Sequence, residues 1–327
     1  MLDVWLPLVG GLILLIAGGE LLVRGAVQVA TSLGVSPLVI GLTLVGFGTS
    51  APELVTSVQA ALSGAPGIAY GNIVGSNIAN ILLIGGAAAL ICPIAISSAA
   101  LRRDGAVMVG VIILFAILAA VGPLGRVTGA LSVTGLVAYV YIAFRQEGGE
   151  PPVDHGAVYD KSLALQETDP ALAPASVLRN SLVVSGLIAL AGLVLVVMGG
   201  RFLVDGAVTL ARGFGISETV IGLTIVALGT SMPELITSVV ASFKRQGDVA
   251  FGNIVGSSIY NILGIGGATA LMVPGAVPAE IVSFDNLVMI AVSALLVGMA
   301  WTGLRVNRGE GAVLVAGYAI YVFAIWP

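Results

Sequence analysis

Gly48-Thr49-Ser50-Ala51-Pro52-Glu53-Leu54 decides the fold, because the pattern returns as Gly229-Thr230-Ser231-Met232-Pro233-Glu234-Leu235. A second stretch, Gly71-Asn72-Ile73-Val74-Gly75-Ser76, likewise returns from Gly252 onward. Residues 48–90 align with residues 229–271 without a gap, at a constant offset of 181 positions. Self-similarity at a fixed offset indicates a duplicated structural unit. We therefore predict that the chain consists of two related halves.

The composition indicates that this chain lies in a lipid bilayer. Of its 327 residues, 58% are hydrophobic and only 9% are charged, and the mean hydropathy is +1.10. So few charged residues could not cover a water-exposed surface. Apolar runs of about 20 residues, the length needed to cross the hydrocarbon core, recur along the whole chain. The small net charge of −4 and the lack of a basic patch argue against a nucleic-acid partner.

Each half divides into five apolar segments, which we predict near 5–31, 37–62, 68–91, 105–122 and 127–144, and near 181–210, 218–243, 250–273, 286–303 and 310–326. We thus predict an all-α integral membrane protein with ten transmembrane helices. Residues 1–144 form the first five-helix repeat, residues 145–180 a linker, and residues 181–327 the second repeat. A unit with an odd number of spans enters the membrane in the opposite direction when it is repeated, so the two repeats should have inverted topology.

The basic residues test this topology independently, since cytoplasmic loops collect Lys and Arg. With ten spans, one side of the membrane receives ten of the 13 basic residues: Arg24, Arg102, Arg103, Arg145, Lys161, Arg179, Lys244, Arg245, Arg305 and Arg308. We therefore expect both termini outside, the linker in the cytoplasm, and the protein in the cell (inner) membrane. The linker is rich in Pro, Gly, Asp and Glu and lacks apolar periodicity, so we interpret it as a flexible connector.

Glu53 and Glu234 are the ionisable residues that lie deepest within the repeated motifs. An ionisable residue inside a span is costly and therefore marks a functional site. The neighbouring proline removes a backbone donor and the glycine permits a helix break, which exposes carbonyl oxygens. Together with the Thr and Ser hydroxyls of the motif, these oxygens suit a hard cation rather than a soft transition metal.

The third span of each half supplies a second set of polar side chains. Asn72, Ser76 and Asn80 follow one another in steps of four residues, and so do their counterparts Asn253, Ser257 and Asn261. Steps of four place each trio on one face of a helix. Two halves related by a pseudo-two-fold axis in the membrane plane would bring the trios and the two glutamates together near the midplane.

At these residues the chain resembles the cation/Ca2+ exchanger superfamily and is most similar to its prokaryotic Na+/Ca2+ exchangers. The family carries Gly-Thr-Ser-x-Pro-Glu on one helix and Gly-Asn-x-x-Gly-Ser-Asn-x-x-Asn/Asp on the next. Here both motifs occur twice, within residues 46–90 and 227–271, except that Ser258 replaces the second Asn of the latter motif in the second repeat. The resemblance implies a fold of ten helices, with Na+ and Ca2+ as transported substrates and no cofactor.

The resemblance also implies which residues hold the ions. Ca2+ would be bound by Glu53, Glu234, Thr49 and Thr230, and Na+ by the two glutamates together with Ser50, Ser231, Ser76, Ser257, Asn80, Asn261, the Ala227 carbonyl and its counterpart at Gly46. Relatives that also transport K+ carry Asp at the position of Asn261, so the asparagine argues against K+ transport.

Other functions stay open at this stage. An H+/Ca2+ antiporter, or an antiporter of another divalent cation, would have the same architecture. A passive cation channel could be lined by the same oxygens but would not need duplicated, opposed halves. An enzyme is disfavoured, since the chain has one histidine and no plausible His-based triad. A single chain can form the whole site between its halves, so a monomer would suffice.

Overall fold

The computed structural model describes residues 2–33, 46–96, 98, 101–147, 157–168 and 182–327. The first repeat contains α1 (Leu2–Ser32), a single helical turn (Gly46–Gly48), α2 (Ala51–Leu62), α3 (Pro66–Ile91), β1 (Ile94–Ala95), α4 (Leu101–Val121) and α5 (Arg126–Glu147). A further helix, α6 (Ala157–Thr168), lies in the segment between the repeats. The second repeat contains α7 (Leu182–Phe214), α8 (Glu218–Thr230), α9 (Met232–Phe243), α10 (Gly247–Met272), α11 (Ile281–Trp301), β2 (Arg305–Val306) and α12 (Arg308–Ile325).

The predicted all-α membrane fold is confirmed. Within the described residues, eight helices are long and apolar enough to cross a membrane, and a ninth span results if the bent pair α8 and α9 is counted as one. The remaining predicted span, 37–62, corresponds to α2 and the turn before it, but its first part, 37–45, lies outside the described residues.

The two longest helices, α1 and α7, show that the repeats are inverted. A methyl group added at Gly11 would lie 2.8 Å from the Gly199 carbonyl oxygen, and one added at Gly18 would lie 2.9 Å from the Gly192 carbonyl oxygen. Because Gly18 and Gly199 hold equivalent positions in the two repeats, as do Gly11 and Gly192, the two contacts are related by a two-fold axis. The helices therefore cross antiparallel, with small residues permitting the close approach.

The same two-fold relation recurs elsewhere in the fold. Gly86 of α3 packs on Gly311 of α12, and its counterpart Gly267 of α10 packs on Gly129 of α5. The short pairing of β1 with β2 joins Ile94 to Val306, and its counterpart is the isolated bridge between Leu124 and Gly275. Each repeat thus completes the packing of the other, as expected for inverted halves.

The centre of the molecule is formed by α3 and α10. Buried residues make up 83% of the most apolar window of α3 and 89% of that of α10, against 17% for α5 and 22% for α12. Both central helices contain a stretch of wider π-helical turns, Asn80–Gly85 and Tyr260–Gly266, at equivalent positions. Such turns alter the regular hydrogen-bond ladder and are frequent at functional sites. The polar motifs therefore lie in the centre, and apolar outer helices face the lipid.

Candidate cation site

Glu53 and Glu234 occupy the first turns of α2 and α9, each directly after a proline. Both are 2% exposed. The predicted helix break is confirmed in the second repeat, where α8 and α9 meet at an angle of 50°. Both helices begin at the motif because proline fits the first turn of a helix, where no intrahelical partner exists for its missing N–H. The break thus places a buried carboxylate at the N-terminal end of a helix.

The motifs of the two repeats are in direct contact. Ser231 donates a hydrogen bond from its Oγ to Glu53 Oε1 at 3.1 Å. Thr230 donates from Oγ1 to Asn72 Oδ1 at 2.9 Å. Both bonds join residues of opposite halves, so the pseudo-two-fold arrangement predicted from the sequence brings the two motifs into one site.

Two asparagines support the glutamates from the neighbouring helices. Asn72 Nδ2 donates to the Glu53 carbonyl at 3.2 Å and to Ser57 Oγ at 2.9 Å. The second repeat reproduces this contact, with Asn253 Nδ2 donating to the Glu234 carbonyl at 3.1 Å and to a serine hydroxyl, Ser238 Oγ, at 2.8 Å. These asparagines therefore fix the helix turn from which each carboxylate projects.

Several buried oxygens of the site have no hydrogen-bond partner among the described residues: Thr49 Oγ1, Glu53 Oε2, Asn80 Oδ1, both carboxylate oxygens of Glu234, Asn253 Oδ1 and Asn261 Oδ1. Buried polar atoms in proteins are almost always paired, and an unpaired group calls for an explanation such as an ion. Carboxylate, hydroxyl and amide oxygens form a donor set suited to Na+ or Ca2+. Cation binding would give these oxygens coordination partners; among the described residues, Glu234 Oε1 has only an ion-pair contact, 3.8 Å from Lys161 Nζ.

The two-fold relation divides the site into two equivalent pockets. The Glu53 pocket consists of Glu53, Ser76, Ser231 and the Ala227 carbonyl, to which Ser76 Oγ donates at 3.5 Å. The Glu234 pocket consists of the counterparts of these four: Glu234, Ser257, Ser50 and Gly46, the last of which begins the turn Gly46–Gly48. The two pockets differ in what they contain.

Lys161 of α6 lies in the Glu234 pocket, and its side chain is fully buried. Its Nζ donates to Ser257 Oγ at 2.7 Å and to Ser50 Oγ at 3.0 Å, and lies 3.8 Å from Glu234 Oε1. The interpretation of the linker as a flexible connector is therefore wrong for residues 157–168. This stretch forms a helix because its apolar and polar groups pack against the transmembrane core, which apolar periodicity alone did not indicate.

Burial and charge act on this lysine in opposite directions. Burial lowers the pKa of the Lys161 ammonium, and the nearby carboxylates of Glu234 and Glu53 oppose this effect by favouring the charged form. Tyr260 adds a further contact, since Nζ lies 5.1 Å from the centre of its ring, within the range of a cation–π interaction. The pocket therefore surrounds the ammonium with acceptors and an aromatic face.

Sequence reasoning missed four residues of this site. Ser57 and Ser238 occupy equivalent positions, four residues after each glutamate, and the repeat alignment could have identified them. Lys161 and Tyr260 have no such signal. Tyr260 aligns with Ala79, and the linker that carries Lys161 has no counterpart in either repeat.

Three known proteins and one family model are similar to this chain over most of its length. A family model described as sodium/calcium exchanger protein matches residues 4–145 and 184–326. CaxA of Alkalimonas amylolytica, which is named as an antiporter, is 38% identical over 319 residues, covering 97% of this chain and 96% of the relative. The sodium/calcium exchanger MaX1 of Methanosarcina acetivorans is 36% identical over 352 residues, covering 98% of each. A solved structure of the sodium-calcium exchanger NCX_Mj, soaked with Na+ and Sr2+, is similar with a TM-score of 0.62 and 30% identity, covering 98% of both chains.

Proposed function

The chain belongs to the sodium/calcium exchanger protein family and is a multi-pass membrane antiporter of cations rather than an enzyme, and from this premise we propose that it exchanges Na+ for Ca2+ by alternating access. Both ions are substrates, and no resident cofactor takes part. One observation carries the proposal: two buried glutamates from inverted repeats meet in a site where Glu53 Oε2, Asn80 Oδ1 and Asn261 Oδ1 have no hydrogen-bond partner among the described residues.

The ligand assignment is the one that the resemblance to the exchanger family implies. We propose that Ca2+ lies between Glu53 and Glu234, with Thr49 and Thr230 completing its oxygen shell. We propose that Na+ uses the Glu53 and Glu234 pockets with their serines, and that the amide oxygens of Asn80 and Asn261, which are buried and have no partner among the described residues, are further ligands. Ala227 contributes its carbonyl, and Gly46 contributes the equivalent carbonyl. Hard cations require several such oxygens. Among the described residues neither pocket offers sulfur or imidazole, the ligands that soft transition metals prefer.

Charge limits what the site can carry. Two ionised glutamates balance one Ca2+ or two Na+, and a third Na+ would add net positive charge to the loaded site. Exchange of three Na+ for one Ca2+ is therefore electrogenic. An inside-negative membrane potential favours the direction in which positive charge enters, and each elementary charge contributes about 2.3 kcal/mol per 100 mV.

The distribution of basic residues supports an orientation in the cell membrane. We propose that both termini lie outside and the linker inside, because Arg102-Arg103 of the first half aligns with Ser283-Phe284, whereas Ser63-Gly64 aligns with Lys244-Arg245. The basic residues thus lie in non-equivalent loops of the two repeats. Because the repeats are inverted, both of these loops lie on the cytoplasmic side, as the positive-inside rule requires. Since one chain forms both pockets, we further propose that the monomer transports.

Uptake of radiolabelled Ca2+ into proteoliposomes tests the coupling ion. Vesicles containing the purified protein are loaded with Na+ and diluted into Na+-free buffer, and a parallel set receives a pH gradient in place of the Na+ gradient. We expect uptake above equilibrium with the Na+ gradient alone. Uptake driven equally by the pH gradient would instead identify an H+/Ca2+ antiporter, and uptake that merely equilibrates would identify a channel.

Three variants connect this activity to the site. Glu53→Gln and Glu234→Gln keep the size of the side chain but remove its charge, and each should abolish uptake. Glu20→Gln is the matched control, because Glu20 is an exposed glutamate of α1 that forms an ion pair with Arg24. Wild-type uptake by either pocket variant would refute the ligand assignment.

A further inference from the structure

The Glu234 pocket already contains a positive charge that belongs to the protein. Lys161 Nζ bonds Ser257 and Ser50 and faces the Glu234 carboxylate. An ammonium has three donors and no acceptor, and these three groups are the oxygen ligands that the pocket would offer to a transported ion. The lysine therefore occupies the pocket as a bound cation would.

The equivalent pocket contains no such group among the described residues. In the Glu53 pocket, Ser231 bonds the carboxylate and Ser76 bonds the Ala227 carbonyl. The aromatic face that lies beside the ammonium is also confined to one side, since Tyr260 aligns with Ala79. The two pockets are equivalent by duplication but differ in Lys161 and Tyr260. Both differences favour an ammonium in the Glu234 pocket.

The helix that carries Lys161 is held against the transmembrane core at several points. The Ala157 N–H at its start donates to Asp104 Oδ2 at 2.8 Å, which satisfies one of the free donors of a helix N-terminus. Along α10, Gly252 faces Asp160, and a methyl group at Gly256 would lie 3.2 Å from the Ala157 carbonyl oxygen. These glycines permit α6 to approach α10 closely, so the lysine is positioned by a docked helix.

The packing partner of these glycines also differs between the repeats. The counterpart of Gly252 is Gly71, where an added methyl group would lie 2.9 Å from the Leu223 backbone nitrogen of α8. Helix α8 of the second repeat thus covers the glycine face of α3 in the first repeat, whereas α6 covers the equivalent face of α10. The linker helix therefore packs on α10 at the glycines that are equivalent to those of α3.

We propose that α6 is an autoinhibitory segment whose Lys161 ammonium competes with the transported cation for the Glu234 pocket. The proposal rests on the proposed function, since it requires that this pocket binds cations during transport. A metal ion and an ammonium cannot share the same three oxygens, so α6 must withdraw before the pocket can be loaded. A cation that fills the pocket in turn keeps α6 displaced, which makes the cation both substrate and activator.

The expected size of the effect follows from the fraction of molecules in which α6 is docked. If α6 is docked in about nine of ten molecules, the apparent Kd for the cation is about tenfold higher than that of the open pocket. Removal of the ammonium should restore the lower value.

Equilibrium Ca2+ binding to the purified full-length protein tests this competition. We expect Lys161→Gln to lower the Kd for Ca2+ about tenfold relative to wild type. An unchanged or higher Kd would overturn the proposal, because it would mean that the ammonium supports the site rather than competing for it. Binding that Glu234→Gln abolishes but Lys161→Gln leaves unaltered contradicts autoinhibition alone. Failure of Ca2+ to bind to wild type and to Lys161→Gln contradicts the proposed function and autoinhibition together.

A second measurement follows α6 itself while Lys161 is retained. Ser162 lies next to Lys161, is buried, and bonds the Tyr159 carbonyl of its own helix, so Ser162→Cys leaves the pocket unaltered. In a Cys92→Ala background the introduced thiol is the single cysteine of the chain. We expect saturating Ca2+ to accelerate its modification by a water-soluble thiol reagent about tenfold. A rate that does not respond to Ca2+ would overturn the proposal, because it would show that cation binding does not displace α6.

Discussion

A methyl group added at Gly11 should destabilise the crossing of α1 and α7, whereas the same change at the preceding residue should not. At Gly11 the new carbon would lie 2.5 Å from the Leu203 backbone nitrogen and 2.8 Å from the Gly199 carbonyl oxygen. At Gly10 it would meet no atom within 4 Å. Since non-bonded heavy atoms prefer separations of about 3.5 Å, Gly11→Ala must move the helices apart by roughly 1 Å.

The magnitude follows from the rigidity of the contact. The atoms that oppose the methyl group belong to the backbone, so a change of side-chain rotamer cannot relieve the overlap. Overpacking of this kind costs about 1–3 kcal/mol. A loss of about 2 kcal/mol should lower the Tm by roughly 3 °C in a chain of this size. Gly10→Ala should leave the Tm unchanged or raise it slightly, because alanine is favoured over glycine in a helix by up to about 1 kcal/mol.

The two-fold relation extends the test to the second repeat. Gly192 is the counterpart of Gly11, and a methyl group there would lie 2.7 Å from the Gly18 carbonyl oxygen, whereas at Gly186 it would meet nothing within 4 Å. Gly192→Ala should therefore lower the Tm about as much as Gly11→Ala, with Gly186→Ala as its control. Thermal unfolding in detergent at one fixed scan rate measures all four variants. Equal Tm values for Gly10→Ala and Gly11→Ala would refute the inverted crossing.

Three further predictions concern the site. Asn72→Ala should destabilise the protein by about 0.6 kcal/mol more than Asn253→Ala, because Asn72 alone also accepts the bond from Thr230; equal Tm values in detergent would contradict the difference. Ser231→Ala removes the hydroxyl that donates to the Glu53 carboxylate. At about 1 kcal/mol per hydrogen bond, it should raise the Na+ concentration needed for half-maximal Ca2+ uptake about fivefold. An unchanged Na+ dependence would exclude the hydroxyl from the Na+ site. Ca2+ uptake should fall as the pH is lowered from about 8 to about 5, since protons compete with cations for the paired carboxylates; a flat profile would show that the carboxylates do not bind the ion.

The sequence indicated those parts of the fold that follow from repetition and hydropathy. The apolar segments, the helix break before Pro233 and the meeting of the two motifs all follow from patterns that occur twice. Repetition is informative because a pseudo-two-fold axis converts equivalent positions in the sequence into positions that face each other in space. The contacts of Asn72 and Asn253 with the Glu53 and Glu234 carbonyls are equivalent for the same reason.

The remainder could not be predicted, because it depends on a segment that occurs once. Residues 157–168 contain one lysine in a polar stretch, and by composition alone such a charge belongs to a solvated loop. Its burial depends on the glycine face of α10 and on Asp104, which lie far away along the chain. The burial of Lys161 is therefore determined by tertiary packing, and the local sequence does not indicate it.

Ca2+ binding to the two glutamate variants tests the central claim most directly, because one site shared by both repeats and two independent sites give different results. Isothermal titration of wild type should show a Ca2+ site that both Glu53→Gln and Glu234→Gln weaken by about 3 kcal/mol or more, that is, over a hundredfold in Kd, while Glu20→Gln binds as wild type does. Retention of wild-type affinity by either variant would contradict a site that the two repeats build together.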